Sequence, residues 1–530
     1  MTEGTTSNYW RDFYRRRTTR RRLLGGALTT GVGLASASLL RCKGSERAGL
    51  GPSSTATATG RPPNFVVIMP DEHRASVMSV AGDPVVKTPN LDKLASEGVR
   101  FTHAYCQGPL CQPARASFLT ERYVRDHGIY LNENAVPHNL PTYVQALQQA
   151  GYYTSCVGKM HLYKHREGVD MRKMIPDMNE YGFDEPTEVP GPLACQSVKN
   201  IYSDYLAQRG LFDTYLNFYK ANFSSHPANI WNARVTPLPV DAYEDVWVGR
   251  TTVEWIDAYD RDQPFLQFVG FPGPHYPWDP PQEYLDRYLN VDIPIHPTDL
   301  PEIPESGPLK LLLDSWLGEP GGPSVDIVRE VRRHYYAKMA LIDEQVGNII
   351  AALERKGILD NTWVIYTSDH GEMFGDHGLF TKLVFYEPAV TVPLIIRPPG
   401  GMSGKVVSDL IQHMDVPATM RAIAGAPAIP FSEGKSLLGY LQEGGSGPGH
   451  NVVYSEDSGL GMVATATEKL VFYEDSFEPA QLFDLVQDPD ENHNLVADPH
   501  YAQVRDEMMT EYVQPFLSKP PVRTGTESGR

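Results

Sequence analysis

Net positive charge is missing from this chain of 530 residues, in which 65 Asp and Glu outnumber 47 Lys and Arg for a formal charge of −18. That balance excludes nucleic acid as a general partner, because phosphate recognition needs clustered Lys and Arg. Any attraction for an anionic ligand must be local to a pocket. Cysteine is scarce, with five in all and none in a Cys-x-x-Cys pattern, which excludes a cysteine-rich zinc module and a dense disulfide scaffold. No low-complexity tract dominates, although 44 prolines and 45 glycines mark many loops. The apolar run Leu23 to Leu40 is interrupted by Gly, Ala, Ser and Thr. At roughly 18 residues it is at the short end for crossing a bilayer, so no stable membrane span is expected. What is present, 41% hydrophobic and 21% charged residues, suits one large folded domain with a smaller one beside it.

Residues 1–43 read as separate from the fold. Arg20-Arg21-Arg22 before the weakly hydrophobic stretch resembles a twin-arginine export signal, with Ala35-Ser36-Ala37 as a cleavage site. Export machinery is then a partner, and the destination is the periplasm or the exterior. Cys42 suggests a lipoprotein anchor only weakly, because Arg41 precedes it. Residues 44–60 are a Ser/Thr/Ala/Gly linker.

From Arg61 onward the pattern is α/β. The continuous apolar runs Asn64 to Met69, Pro264 to Phe271, Thr362 to Thr367 and Val392 to Arg397 predict strands buried on both faces, and Tyr152 to Val157 another. Helices are predicted over Thr88–Gly98, Pro141–Ala150, Val246–Tyr259 and Asp326–Lys356. The last helix carries an apolar stripe from Ile327 through Val331, Tyr335, Met339, Ile342, Val346, Ile349 and Ile350. Such alternation predicts a large, mostly parallel sheet flanked by helices over 61–427. Residues 428–530 predict a smaller antiparallel α+β subdomain, with strands near Val452–Ser455, Val463–Thr467, Leu470–Tyr473 and Gln481–Leu485 and a helix near Tyr501–Phe516. The acidic run Asp488 to Asn492 reads as a solvated turn. The stretches Leu162–Val240 and Gln282–Pro323 read as insertions that shape a pocket.

Chemistry-bearing residues fall at predicted strand and helix ends. Asp71-Glu72 follow the first strand and Asp369-His370 follow a later one, at the edge where open α/β sheets bind ligands. Carboxylates there suit a hard divalent cation. Cys111-Gln112-Pro113-Ala114-Arg115 reads as a turn entering a helix, which puts Cys111 at a helix N-terminus beside a guanidinium, a place that favours negative charge. Lys159 and His161, two apart on an extended segment, project the same way and can face one anion. His275 is held between Pro274 and Pro277, a stiff setting that suits acid–base work. Lys382 lies in a Gly-rich loop that also holds His377, a candidate supporting residue. Taken one at a time, these motifs also read as a buried cysteine, a core histidine, a solvated lysine or a polar loop.

Together they resemble the type I sulfatases of the alkaline phosphatase superfamily. Cys-x-Pro-x-Arg followed by Ala-Ser-x-Leu-Thr is similar to the signal that directs oxidation of the cysteine to formylglycine, and Gly158-Lys159-Met160-His161 is similar to the second signature. One departure is Glu121-Arg122, where the family usually has Gly-Arg. The resemblance implies one divalent cation, calcium first with magnesium or manganese as alternatives, held by Asp71, Glu72, Asp369, His370 and the modified residue 111. It implies a hydrated aldehyde that attacks sulfur to give a covalent sulfate, with Arg115 steadying the hydrate. Lys159 and Lys382 then offset charge, His275 serves the leaving oxygen and His161 releases the sulfate. The implied partners are a sulfated small molecule or carbohydrate and a formylglycine-generating maturation enzyme. Alternatives are a phosphonate monoester or phosphodiester hydrolase on the same site, a non-catalytic exported protein that binds anionic glycans, and a membrane-anchored scaffold that retains its leader. Beyond the leader, Cys106, Cys111, Cys156 and Cys195 remain, so at most one disulfide can form within the chain once Cys111 is converted.

Overall fold

Eight strands carry the larger sheet: β1 (Asn64–Ile68), β2 (Val99–Tyr105), β3 (Tyr153–Gly158), β4 (Glu185–Glu188), β5 (Phe265–Gly270), β6 (Thr362–Thr367), β7 (Thr391–Arg397) and β8 (Lys405–Gln412). Their order is β4-β3-β5-β1-β6-β7-β2-β8, parallel except where β7 meets β6 and β2. These elements come from a computed structural model that describes residues 60–165, 167–223, 230–295 and 323–522. The leader, Cys42, nearly all of the linker and the 296–322 part of the second insertion lie outside the described residues. Among the described residues, no helix is long and apolar enough to cross a membrane.

The apolar runs form strands because both faces of the sheet are covered. In β1, Val66 and Ile68 enter one hydrophobic cluster with Val331, Tyr335, Met339 and Ile342 of the long helix Val325–Arg355. Phe65, Val67 and Met69 enter another with Phe118, Tyr143 and Leu147. Alternate residues of a strand point to opposite faces, so one continuous run serves both layers. The predicted stripe on the long helix is buried except at Ile327, which sits in the first turn and is 36% exposed.

Strands β2, β4 and β8 have no counterpart in the sequence reading. β4, with sequence Glu-Pro-Thr-Glu, and β8, with polar residues breaking its run, are the two edge strands, where an unpaired side tolerates proline and charge. The register of β2 shifts between Phe101 and Ala104, which blurs its alternation.

The helix predicted from Thr88 runs over Pro89–Ser96, but Thr88 does not cap it. The Thr88 hydroxyl is engaged by Ser79, and the helix N-terminus is instead satisfied by buried Asp343 from the long helix, which accepts from Leu91 N (2.9 Å), Asn90 N (3.2 Å) and Asn90 Nδ2 (2.9 Å). Gly98 does not end the helix through a left-handed turn either. A Cβ there would lie 2.4 Å from the Ile396 carbonyl oxygen, so the glycine allows close approach to β7. Asp343→Ala leaves these donors without their acceptor and is expected to cost about 1–3 kcal/mol. Urea unfolding measures the loss, and an unchanged midpoint contradicts it.

The smaller sheet is antiparallel, in the order β12-β11-β10-β9, from β9 (Val453–Asp457), β10 (Leu460–Ala464), β11 (Glu468–Tyr473) and β12 (Pro479–Asp484). A helix begins at Ala502 and reaches Ser518 through one π-helical turn, Met509–Val513. One face of the sheet packs Met462, Val471 and Phe483 against Met373, Leu379, Leu383 and Phe385. It thereby backs the loop that carries Lys382.

Candidate active site

Parallel pairing of β1 with β6 places Ile68 opposite Tyr366, so Asp71 and Asp369 each stand three residues beyond a matched pair at the C-terminal edge. Both side chains are fully buried. The helix Cys111–Thr120 points its N-terminus at them, with Cys111 as its first residue. Cys111 Sγ lies 3.3 Å from His370 Nε2 and 3.6 Å from Asp71 Oδ1. One donor atom from each of Asp71, Cys111, Asp369 and His370 falls within 4.8 Å of the others. At the far end of this helix Glu121 takes the left-handed conformation, φ 55°, where the resembled pattern has glycine. A bidentate pair with Arg421, 2.6 Å at each oxygen, anchors it there.

Arg115, 3% exposed, ties three strand ends together. Its Nε donates to Asp369 Oδ2 (2.8 Å), Nη2 to Asp71 Oδ2 (3.2 Å) and Nη1 to the Lys159 carbonyl (2.6 Å). Lys159 Nζ lies 2.7 Å from Asp71 Oδ2. The lysine reaches that point because Gly158 lets β3 press on β5: its φ is +103°, and a Cβ there would lie 2.0 Å from the Gly270 carbonyl oxygen. Burial works to raise the Asp71 carboxyl, but Lys159, His275, Arg115 and Lys382 outweigh it and hold the group well below the usual carboxylate range. Buried charges persist only when paired in this way.

A second group adjoins the first. Glu72 has φ 67°, and its side chain meets Lys382 Nζ (2.8 Å) and His275 Nε2 (3.2 Å). It stands with Asp71 and His275 rather than in the four-residue cluster. Burial, assisted by the neighbouring Glu372, pushes Glu72 well above its ordinary value, while burial and the Lys382 charge push His275 well below its own. The His275 Nδ1 bonds the Tyr276 carbonyl.

The placement of His161 corrects the sequence reading. β3 ends at Gly158, and His161 has φ 54°, so Lys159 and His161 do not share an extended segment. Lys159 goes to Asp71, while the His161 ring stacks on His165. Burial lowers His161 strongly, with His165, Lys159 and Arg115 adding to the effect, so the ring is neutral. His377 is buried against Tyr386, with centroids 4.5 Å apart, and belongs to neither group. Glu372, Glu188 and His165 were given no role from sequence. Only Glu372 carries a signal there, as the last residue of Asp369-His370-Gly371-Glu372. Cys106, Cys111, Cys156 and Cys195 are all free and buried.

The residues fit a divalent cation. Two carboxylates supply hard oxygen donors. The His370 Nδ1 lies 2.9 Å from the Gly371 carbonyl, which can only accept, so the proton sits on Nδ1 and the Nε2 lone pair is directed into the cluster. The fourth corner belongs to residue 111. As a thiol it is a poor nucleophile, because burial, with Asp71 beside it, pushes it up to about 12.

Comparison with known proteins supplies the context. Residues 63–426 match the family described as Sulfatase, and residues 375–515 match the C-terminal region of N-sulphoglucosamine sulphohydrolase. The chain is 29% identical over 471 residues to an arylsulfatase of Clostridium perfringens, covering 83% of this chain and 92% of that one. It is 26% identical over 488 residues to an N-acetylglucosamine-6-O-sulfatase of Bacteroides thetaiotaomicron, covering 84% and 85%. Among solved structures, the phosphonate monoester hydrolase of Agrobacterium radiobacter superposes with a TM-score of 0.67 at 25% identity, covering 86% of this chain and 95% of that one.

Proposed function

The chain belongs to the sulfatase family of the alkaline phosphatase superfamily and is a sulfuric ester hydrolase, and from that premise we propose that it works through residue 111 oxidised to formylglycine. The observation that carries the proposal is the convergence of Cys111, Asp71, Asp369 and His370 within 4.8 Å at a helix N-terminus, around a thiol too weakly acidic to act itself. Once hydrated, the aldehyde offers one hydroxyl to attack sulfur and a second through which sulfate is later released. A divalent cation held by Asp71, Asp369, His370 and residue 111, calcium with magnesium or manganese as alternatives, would lower the pKa of the attacking hydroxyl and offset sulfate charge. Glu72 is a further candidate ligand through its grouping with Asp71 and His275.

The other roles belong to the chain's own groups. Arg115 fixes the orientation of Asp71 and Asp369 and carries positive charge up to residue 111. Burial works against both lysine charges, but the facing carboxylates Asp71 and Glu72 keep Lys159 and Lys382 protonated. Two ammonium groups held by carboxylates thus stand beside the cluster, placed to offset sulfate charge. Lys382 and His275 meet at Glu72 Oε2, which lets a proton pass from this group to the departing alcohol oxygen. Neutral His161 accepts the proton of the second hydroxyl when sulfate leaves.

The substrate class is a sulfated carbohydrate or an aryl sulfate, in keeping with the names of the relatives. A phosphonate monoester or phosphodiester hydrolase is the second reading, supported by likeness to the Agrobacterium enzyme. The three kinds of ester are all monoanions, so the sulfate reading rests on the family match and a direct comparison of substrates decides between the two. Hydrolysis of 4-nitrophenyl sulfate should exceed that of a matched aryl phosphate diester by at least about 10-fold in kcat/KM, and the reverse order selects the second reading. Co-production with a maturation enzyme is part of the test. Export through the twin-arginine leader to the periplasm or exterior completes the proposal, and N-terminal sequencing of the exported protein checks it.

A further inference from the structure

The histidines at the site are oriented in two different ways. His370 and His275 each have Nδ1 fixed to a backbone carbonyl, of Gly371 and Tyr276 respectively. His161 has no such bond, because its Nδ1 is buried without a partner. Its ring lies instead on the face of His165, with centroids 4.7 Å apart and planes inclined by 20°. His165 is met edge-on by Tyr163, at 5.7 Å and 79°. The Tyr163 hydroxyl donates to Glu188, the last residue of β4, which is 9% exposed and lies beside the backbone amides of Met160 and His161. Residues 161, 163 and 165 thus share one short segment beyond β3, supported from the edge of the sheet.

An imidazole that must take a proton from a defined oxygen has to hold its ring plane, and a ring without an Nδ1 bond can rotate about its side-chain torsions unless packing stops it. We propose that His165 is a positioning residue, holding His161 in its working orientation by face-to-face stacking in place of the hydrogen bond that orients the other two histidines. Stacking needs a flat ring and no particular nitrogen. The Nε2 of His165 is itself buried without a partner, so the ring contributes here as a surface and not as a donor. This inference rests on the role given to His161 above.

Four variants of the full-length, converted, metal-loaded enzyme test it with 4-nitrophenyl sulfate: His165→Ala, His165→Phe, His161→Ala and the double alanine variant, each with its thermal midpoint. His165→Ala should lower kcat by about 10- to 100-fold with KM within about 3-fold, because misplacement acts on the chemical step. His165→Phe should keep kcat within about 3-fold of the parent. In the His161→Ala background, adding His165→Ala should cost less than about 3-fold more. The inference is overturned if His165→Ala keeps the parent kcat, if His165→Phe is as impaired as alanine, or if the two losses multiply. Should His165→Ala not fold, His165→Phe decides alone. A His161→Ala enzyme with unchanged kcat contradicts the role of His161 itself, whereas an impaired His161→Ala beside an unimpaired His165→Ala contradicts only the positioning.

Discussion

Cys111→Ser lowers steady-state kcat on aryl sulfate by at least about 10⁴-fold, the scale on which loss of a nucleophile is felt when the rest of a site stays intact. The reason is specific to this residue. Serine offers one hydroxyl where the hydrated aldehyde offers two, so after attack no second hydroxyl remains to expel the sulfate. Folding should be nearly unaffected, since Cys111 contributes a small side chain to a site organised by ion pairs. The expected signature is therefore a stable protein that turns over once at most and then retains sulfate, visible by intact mass. Repeated turnover at the parent rate would remove the modification from the mechanism.

Arg115→Met is the second large effect, and it acts on stability and rate together. The guanidinium is 3% exposed and holds Asp369 at 2.8 Å and Asp71 at 3.2 Å, both fully buried. Removing one member of a buried ionic network leaves uncompensated charge and typically costs about 3–5 kcal/mol. Lys159 still neutralises Asp71, but Asp369 loses its paired cation. The cation-free variant should show the full loss in denaturant unfolding, and millimolar calcium should restore part of it, because a bound cation replaces the missing charge. Activity should fall by about 10²- to 10³-fold even in saturating calcium. Arg115→Lys should not rescue it, since one ammonium cannot reproduce a fork that contacts Asp369, Asp71 and the Lys159 carbonyl at once. An unchanged unfolding midpoint in Arg115→Met would contradict this view of the site.

Much of the fold is legible because one physical rule dominates it. Asn64–Ile68, Phe265–Gly270, Thr362–Thr367 and Thr391–Arg397 lie between two apolar layers and must read as unbroken hydrophobic runs. Edge strands escape that rule, which is why Glu185–Glu188 and Lys405–Gln412 leave no trace. The cap at Pro89 was illegible for a different reason. Its acceptor, Asp343, comes from a distant helix, and a local capping motif offered Thr88 in its place.

The site divides in the same way. Asp71, Asp369 and His370 meet because β1 and β6 are neighbours, and the helix Cys111–Thr120 brings Cys111 and Arg115 to them. Their motifs announce them. Lys159 and His161 show the limit of spacing arguments. A fully extended Lys159-Met160-His161 would have projected both side chains in the same direction, but the backbone turns left-handed at His161, whose ring stacks on His165. Glu72 likewise adjoins Asp71 in sequence yet turns toward His275 and Lys382, because its own φ is positive. No sequence pattern marks a left-handed glutamate or histidine. Tertiary contacts impose it.

The most direct measurement is mass spectrometry of the peptide containing residue 111, made on enzyme fractions of different specific activity on 4-nitrophenyl sulfate. The account predicts that the aldehyde, or its hydrate, rises in proportion to activity and that fractions holding only the unmodified thiol are inactive. Full activity in a fraction whose residue 111 is entirely cysteine would contradict it.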